Sequence, residues 1–269
     1  MKKFNKKKLF FGLFIFSVLT FVYLPLIIVM AFSFTEGTTI SFQNFEFSLQ
    51  LYRDLFENDR LIEALLNTLI IAGISALLAT VIGTMACVGM MKMKKRARGI
   101  MMAVNLIPLV NATIVTGFML MLLYSTFGMI EYGYIRLILA HTLIALPIVI
   151  LVVLPKLRGL DQNVFEAAQD LGATPSQAFF SVMIPMLFSA MLGAFLVGIT
   201  LSVDEFVITN YNNHGVATLP TLIYQGRSPA APEFRALSTI VFFTVIVILI
   251  ALNIRMARKE KRKKLQARR

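Results

Sequence analysis

The stretch DQNVFEAAQDLGATPSQAFFSVMIP, residues 161–185, decides how this chain folds. It opens with Asp161, a residue type that caps helix N-termini, and Gly172 suits the left-handed backbone that ends a helix. A second helix start follows, with an N-cap, a proline at the first helical position and a capping-box glutamine: Thr174, Pro175 and Gln177. The spacing predicts two short helices that meet at a fixed corner, rather than a slack loop.

Long apolar runs lie on both sides of this stretch and recur along the chain. Of the 269 residues, 58% are hydrophobic, which is well above the average for soluble domains. A helix needs about 20 mostly apolar residues to cross a bilayer. Six runs are long enough: Leu9–Phe34, Leu61–Met91, Ile100–Leu123, Ile135–Leu154, Met183–Ile208 and Ala236–Ile254. We therefore expect an all-α transmembrane fold with six spanning helices.

The first run also has the lysine-rich flank of a cleaved signal peptide, which is the alternative for it. The run is about twice as long as the usual apolar region of a signal peptide. It also lacks a convincing cleavage site with small residues. We therefore expect a retained span.

Basic residues are unevenly distributed between the runs. Of the 26 Lys and Arg residues, 21 lie before the first run, after the second, after the fourth or after the sixth. By the positive-inside rule both termini are then cytoplasmic. The net charge of +12 also allows nucleic-acid binding by the tail. Because a basic segment beside a span usually meets anionic lipid headgroups, we expect a lipid partner and no nucleic acid.

This orientation divides the chain into three parts. Residues 1–8 form a basic cytoplasmic N-terminus, residues 9–254 a single six-span domain, and residues 255–269 a basic cytoplasmic tail. No loop is long enough for a receptor domain, and no G-x-x-x-x-G-K-[ST] sequence is present to bind ATP phosphates. A solute captured outside must therefore be delivered by another protein, and the energy must come from a partner or a gradient.

The cytoplasmic connection 155–182 contains the corner, and its composition favours docking of a partner. Small and apolar residues are frequent there: Ala167, Ala168, Leu171, Ala173 and Phe179. The alternative is a helix that lies on the lipid surface. Because Asp161, Glu166 and Asp170 would be repelled by anionic lipid, docking is the preferred interpretation.

The same connection resembles the signature loop of the binding-protein-dependent (MetI-like) permeases of ABC importers, which reads E-A-A, three residues, G, nine residues, I-x-L-P. The matching residues are Glu166, Ala167, Ala168, Gly172, Val182, Ile184 and Pro185. Val182 and Ile184 depart from the pattern but remain aliphatic. In that family the loop forms the coupling helix. The resemblance implies that Glu166, Ala167, Ala168 and Gly172 transmit closure of a cytoplasmic ATPase dimer. The alternative is a helix-turn-helix that only joins two spans.

Over nearly its whole length the chain is similar to the second permease subunit of spermidine/putrescine ABC importers. The stretches that carry this similarity are Leu65–Leu69, Leu201–Thr209, Ser228–Pro229 and Arg235–Thr239. The resemblance implies a multi-pass protein of the bacterial inner membrane that has no cofactor. Its partners would be the ATPase dimer, a second permease subunit and an extracytoplasmic solute-binding protein. Permeases for ferric ion or phosphonates share parts of these stretches and remain alternatives.

Two acidic residues, Asp204 and Glu205, lie within the fifth run. An unpaired charge there costs about 2.5–3.5 kcal/mol, and a diffusing ammonium group would offset that cost. The pair is therefore a candidate cation pathway, with Asp204 preferred for substrate. Both carboxylates face one cavity only if the helix unwinds between them. The alternative is a structural ion pair with Arg227, Arg235 or a base of a partner subunit.

Polar residues and a proline also interrupt the third run, at Asn105, Pro108 and Asn111. The proline predicts a kink. Asn111 is a candidate for lining the pathway, although buried amides more often hydrogen-bond neighbouring helices.

Other classes of function find less support. The two histidines, His141 and His214, have no ligand-spaced neighbours, and neither H-E-x-x-H nor G-x-S-x-G occurs, so we expect no metal site and no enzyme. A self-contained secondary cation carrier would show internal repeats that the two halves lack, although it stays an alternative. The expected function is the permease subunit of an ATP-driven polyamine importer.

Overall fold

The computed structural model describes residues 6–35, 46–128, 132–225, 232–244, 246–247 and 250. Within these ranges the regular secondary structure is helical, apart from one isolated antiparallel bridge between Thr35 and Phe47. The helices are α1 (Lys6–Phe32), α2 (Gln50–Glu57), α3 (Asp59–Lys92), α4 (Lys95–Val110), α5 (Thr113–Thr126), α6 (Gly133–Arg158), α7 (Gln162–Asp170), α8 (Pro175–Ala178), α9 (Ile184–Asp204), α10 (Val207–Asn212) and α11 (Leu219–Gln225). A π-helix, Phe179–Met183, joins α8 to α9, and residues 232–244 are also helical. The predicted all-α fold is confirmed.

Four helices in the described ranges are long and apolar enough to cross a membrane. They are Phe11–Phe32, Asp59–Met91, Gly133–Arg158 and Pro175–Asp204, and they correspond to the predicted first, second, fourth and fifth spans. Part of the predicted sixth run, Ala236–Ile254, including its last four residues, lies outside the described residues. The count of six spans and the orientation of the termini therefore stay predictions.

The third predicted run is broken rather than continuous. It contains α4 and α5, which meet at 99°. Because helices of 16 and 14 residues extend only about 24 and 21 Å, neither alone crosses about 30 Å of hydrocarbon. The break lies at Asn111 and Ala112, which are both extended, three residues beyond the proline that predicted a kink.

The chain separates into two compact units, of which the first contains the described parts of residues 1–62 and 226–269. In this unit the Phe34 ring stacks on Phe47, with the centroids 5.9 Å apart, and packs against Tyr52. The Tyr52 hydroxyl lies 2.8 Å from Ser33 Oγ. The Arg235 guanidinium donates to the carbonyl of Phe32 at 3.3 Å.

The second unit, residues 63–225, contains the main apolar core. Buried side chains of α3, α6 and α9 form it: Ala79, Cys87, Met90, Ala145, Val149, Ile150, Val153, Leu154, Leu157, Leu187 and Ala194. Small residues allow these helices to approach closely. A Cβ added to Gly198 of α9 would lie 3.2 Å from the Cβ of Ala76 in α3. This packing fixes α6 and α9 side by side.

Candidate coupling loop and substrate pathway

The corner after α6 has the local structure that the sequence predicts. The Asp161 carboxylate accepts a hydrogen bond from the backbone N–H of Asn163 at 3.0 Å and caps α7. Gly172 has φ +91°, in the left-handed region. The next residue, Ala173, donates its N–H to the carbonyl of Ala168 at 3.1 Å, which satisfies the end of the helix.

The second helix of the corner begins with the predicted capping box. The Thr174 N–H donates to Gln177 Oε1 at 2.9 Å, the Gln177 N–H donates to Thr174 Oγ1 at 3.3 Å, and Pro175 occupies the first turn. The prediction that this second helix is short is wrong. It continues through the π-helix into α9, so that 175–204 is one helix of 30 residues. The π turn ends two residues before Pro185, which has no N–H to donate to the helix.

Exposure is uneven among the predicted coupling residues. Glu166, Ala167 and Gly172 are exposed, while Ala168 is half-buried. Leu171, between them, is 90% exposed, which is high for a leucine. Glu166 also lines a cavity of about 730 Å³ between α7, α8 and the ends of α3 and α6, together with Lys92. The corner therefore has an exposed apolar surface at Leu171 and, beside it, the cavity that Glu166 and Lys92 line.

The fifth span is interrupted at the predicted acidic pair. Helix α9 ends at Asp204, and Glu205 is extended, with φ −79° and ψ 100°, before α10 begins at Val207. The helix is therefore unwound at the acidic pair. The Asp204 side chain is exposed. The Glu205 carboxylate is half-buried and accepts the N–H of Ile208 at 3.0 Å, so it caps α10.

A buried histidine holds this break. His141 of α6 is only 4% exposed, and its Nδ1 lies 2.5 Å from Ser202 Oγ while its Nε2 lies 2.9 Å from Thr209 Oγ1. Thr209 Oγ1 also donates to the carbonyl of Glu205 at 2.5 Å. Sequence reasoning considered His141 only as a metal ligand and missed this link. The signal available was an ionisable residue inside a span, which is itself a reason to expect a function.

The chain that follows α10 is anchored to α3 by two adjacent residues. Asn67 Nδ2 donates to the carbonyl of Ala217 at 2.9 Å, and Asn67 Oδ1 accepts from the Tyr134 hydroxyl at 2.7 Å. Thr68 Oγ1 accepts the N–H of Leu219 at 2.8 Å. The stretch Leu65–Leu69, one of those that carry the family resemblance, therefore fixes the loop beyond the break.

The break in the third run lies on helices that contact the second break. Asn111 Nδ2 donates to Thr116 Oγ1 at 3.1 Å, so this amide bonds locally across the bend. Helix α5 packs against α10, where Asn212 Nδ2 donates to the carbonyl of Gly117 at 3.0 Å. Asn105 instead donates to the carbonyl of Pro147 in α6 at 3.2 Å. Two discontinuous helices thus meet, an arrangement that transporters use to form solute sites.

Comparison with known proteins defines the class. Residues 78–264 match the family described as "Binding-protein-dependent transport system inner membrane component". The chain belongs to this family and is a membrane permease component of the ABC importer class.

Particular relatives are similar over almost the whole chain. The putrescine transport system permease protein PotI of Escherichia coli strain K12 is 32% identical over 253 residues, which cover 91% of this chain and 89% of PotI. The spermidine/putrescine transport system permease protein PotC of Haemophilus influenzae is 30% identical over 241 residues, covering 88% and 92%.

A solved structure has the same fold at much lower identity. It is a crystal structure of a bacterial ABC transporter involved in the import of the acidic polysaccharide alginate, with a TM-score of 0.68 at 15% identity. The match covers 94% of this chain and 96% of that one. The predicted permease fold is therefore confirmed.

Proposed function

We propose that this chain is the permease subunit of an ATP-driven importer that carries polyamines of the spermidine and putrescine class across the bacterial inner membrane. The single observation that carries the proposal is its similarity, along about nine-tenths of the chain, to permeases of putrescine and spermidine/putrescine transport systems. A cytoplasmic ATPase dimer, a second permease subunit and an extracytoplasmic solute-binding protein would complete the machine.

In this proposal the corner couples the chain to the ATPase. Glu166, Ala167, Ala168 and Gly172 would sit against the ATPase subunit. Their position supports this role, because the corner ends α6 and begins the helix that continues to the acidic pair. When the corner moves, the two helices joined to it, α6 and the helix 175–204, therefore move with it.

The break after α9 would contribute to the solute pathway. Asp204 is exposed and is the preferred partner for an ammonium group, while Glu205 shapes the break by capping α10. Asn111 belongs to the same region through the contact of α5 with α10. A phosphonate would be repelled by two adjacent carboxylates, which favours a cation.

An aromatic pair beside the carboxylates favours an organic cation. The rings of Phe206 and Tyr224 stack, with centroids 3.9 Å apart and planes at 13°. Tyr224 is 69% exposed. An aromatic face attracts ammonium groups and also packs against methylene chains, and a polyamine consists of both. A compact hydrated metal ion would gain less binding free energy from an aromatic face, because it has no methylene chain to pack against the ring.

The test is ATP-dependent uptake of labelled spermidine and putrescine by the complete complex in proteoliposomes. We expect Asp204→Asn to lower uptake at least about tenfold, the effect of about 1.4 kcal/mol of lost charge attraction. Glu57→Gln removes an exposed carboxylate elsewhere and is the matched control. Unchanged uptake by an assembled Asp204→Asn complex would remove Asp204 from the pathway. An unaltered complex that carries no polyamine would overturn the proposed substrate.

A further inference from the structure

The two spans next to the corner form a hairpin that is joined at both ends. At one end α6 and the helix 175–204 are connected through α7. At the other end the His141 ring contacts Ser202 and Thr209. His141 lies about 25 Å along α6 from Arg158, at about 1.5 Å per residue. The ring is therefore far from the corner and next to the break.

The directions of the hydrogen bonds at this ring follow from their partners. The carbonyl of Glu205 can only accept, so the Thr209 hydroxyl donates to it. That hydroxyl has a lone pair left for His141, whose Nε2 must then donate. In a neutral imidazole the other nitrogen, Nδ1, accepts the Ser202 hydroxyl. Each hydrogen bond at the ring thus has a defined donor.

These bonds hold both sides of the break to one helix. Ser202 belongs to the last turn of α9, and Thr209 belongs to α10. Both residues are buried, with 5% and 1% exposure. Only Glu205 and Phe206 lie between the two helices, so the ring fixes the segment that follows Asp204.

The space beside the ring is too small for a solute. The cavity lined by His141, Glu205 and Thr68 has a volume of about 10 Å³, which is about the space of one water molecule. His141 therefore acts on the pathway through the position of the break, and not by contact with the transported cation.

We propose that His141 is a positioning residue that clamps the break between α9 and α10 to α6, so that a displacement of the corner, which reaches Asp204 along the helix 175–204, is also passed across the break to Glu205 and α10. This role rests on the proposed transport function. With the clamp, the break moves together with both arms of the hairpin. Without it, the two non-helical residues absorb the displacement, so that Asp204 moves with its helix while α10 does not follow, and ATP is hydrolysed without the concerted change of the pathway.

The experiment measures ATP hydrolysed per spermidine transported, together with the KM for uptake, in the complete complex. Thr209→Val keeps the side-chain shape and removes the hydroxyl that joins His141 to Glu205. We expect it to raise the ATP-to-spermidine ratio about fivefold or more, the lower end of usual couplings between sites. His141→Leu should do the same, and His141→Gln, which keeps a donor and an acceptor, should stay closer to the unaltered ratio.

Thr200→Val is the matched control, because Thr200 is exposed and its hydroxyl bonds only its own helix, at the Leu196 carbonyl. A purely structural role would reduce the amount of complex and leave the ratio unchanged. If His141→Leu fails to assemble, Thr209→Val and Ser202→Ala still give the answer. Assembled variants with an unaltered ratio and KM would overturn the clamp. An unaltered complex without polyamine uptake would instead contradict the proposed function, and this role with it.

Discussion

The corner at 161–177 and the break at 204–207 both interrupt helices, but they are held in opposite ways. Among the described side chains of the corner, the stabilising bonds join residues two or three positions apart, and most of these residues are exposed. At the break the bonds of His141 join residues 61 and 68 positions apart, and they are buried. The corner is therefore a locally determined shape, which suits the proposed docking of a partner. The break has local bonds as well, from Glu205 to Ile208 and from Thr209 to Glu205, but the buried bonds of His141 tie it to the rest of the unit.

This difference predicts that long-range bonds near the break matter most for the stability of the chain. Asn67→Leu removes both the bond to the Ala217 carbonyl and the bond from the Tyr134 hydroxyl, in a residue that is 5% exposed. We expect a loss of about 1–3 kcal/mol, because buried polar groups are left unsatisfied. The measurement is thermal unfolding of the purified complex, together with the KM for spermidine.

Tyr134→Phe is the control for this change, because it removes only the bond from the Tyr134 hydroxyl to Asn67 and keeps the bond from Asn67 to the Ala217 carbonyl. Its effect should be smaller than that of Asn67→Leu. Equal stability of the two variants would mean that the anchor on α3 is not what holds the loop after the break.

At the corner we expect a smaller effect on stability and a selective effect on transport. Gly172 has φ +91°, and a Cβ added to it would meet no atom within 4 Å, so we expect Gly172→Val to act mainly by straining the backbone, by about 1–2 kcal/mol. Gly128, with φ +57°, is equally open and lies between α5 and α6. Both valine variants should therefore unfold at similar temperatures.

Transport should separate these two variants, because only Gly172 belongs to the corner that we propose meets the ATPase. We expect Gly172→Val to lower ATP-driven uptake several-fold and Gly128→Val to leave it near the unaltered level. Equal losses for both variants would show that strain alone is responsible, and that the corner has no special part in coupling.

The same contrast explains how much could be predicted from the sequence. The caps at Asp161 and Thr174 and the left-handed Gly172 were predicted correctly, since their partners lie within one turn. The helical class followed from the apolar runs. The continuation of the second corner helix through a π turn was missed, because the apolar run that predicts the fifth span begins only at Met183.

The long-range hydrogen-bond partners could not be predicted from the sequence, for a physical reason. An isolated histidine in an apolar run gives no indication that Ser202 and Thr209 face it across two helices. Likewise, Asn67 contacts a carbonyl 150 positions away. The bend of the third run lies at Asn111 and Ala112 rather than at Pro108, because two extended residues turn a chain much more than one missing hydrogen bond does.

The central claim is that the corner meets an ATPase on the cytoplasmic side, and thiol labelling tests it directly. Cys87 is the only cysteine and is buried, so Cys87→Ala provides a thiol-free background. Ala167→Cys is added at the exposed corner, and Tyr132→Cys, at a residue 74% exposed before α6, serves as the control for the side that the predicted topology places outside. Both variants are treated with a membrane-impermeant maleimide.

We expect the maleimide to label Tyr132→Cys in intact cells. Ala167→Cys should be labelled only in inverted vesicles from which the ATPase subunit has been stripped, and re-addition of that subunit should protect it. Labelling of Ala167→Cys in intact cells, or equal labelling with and without the ATPase subunit, would contradict the account.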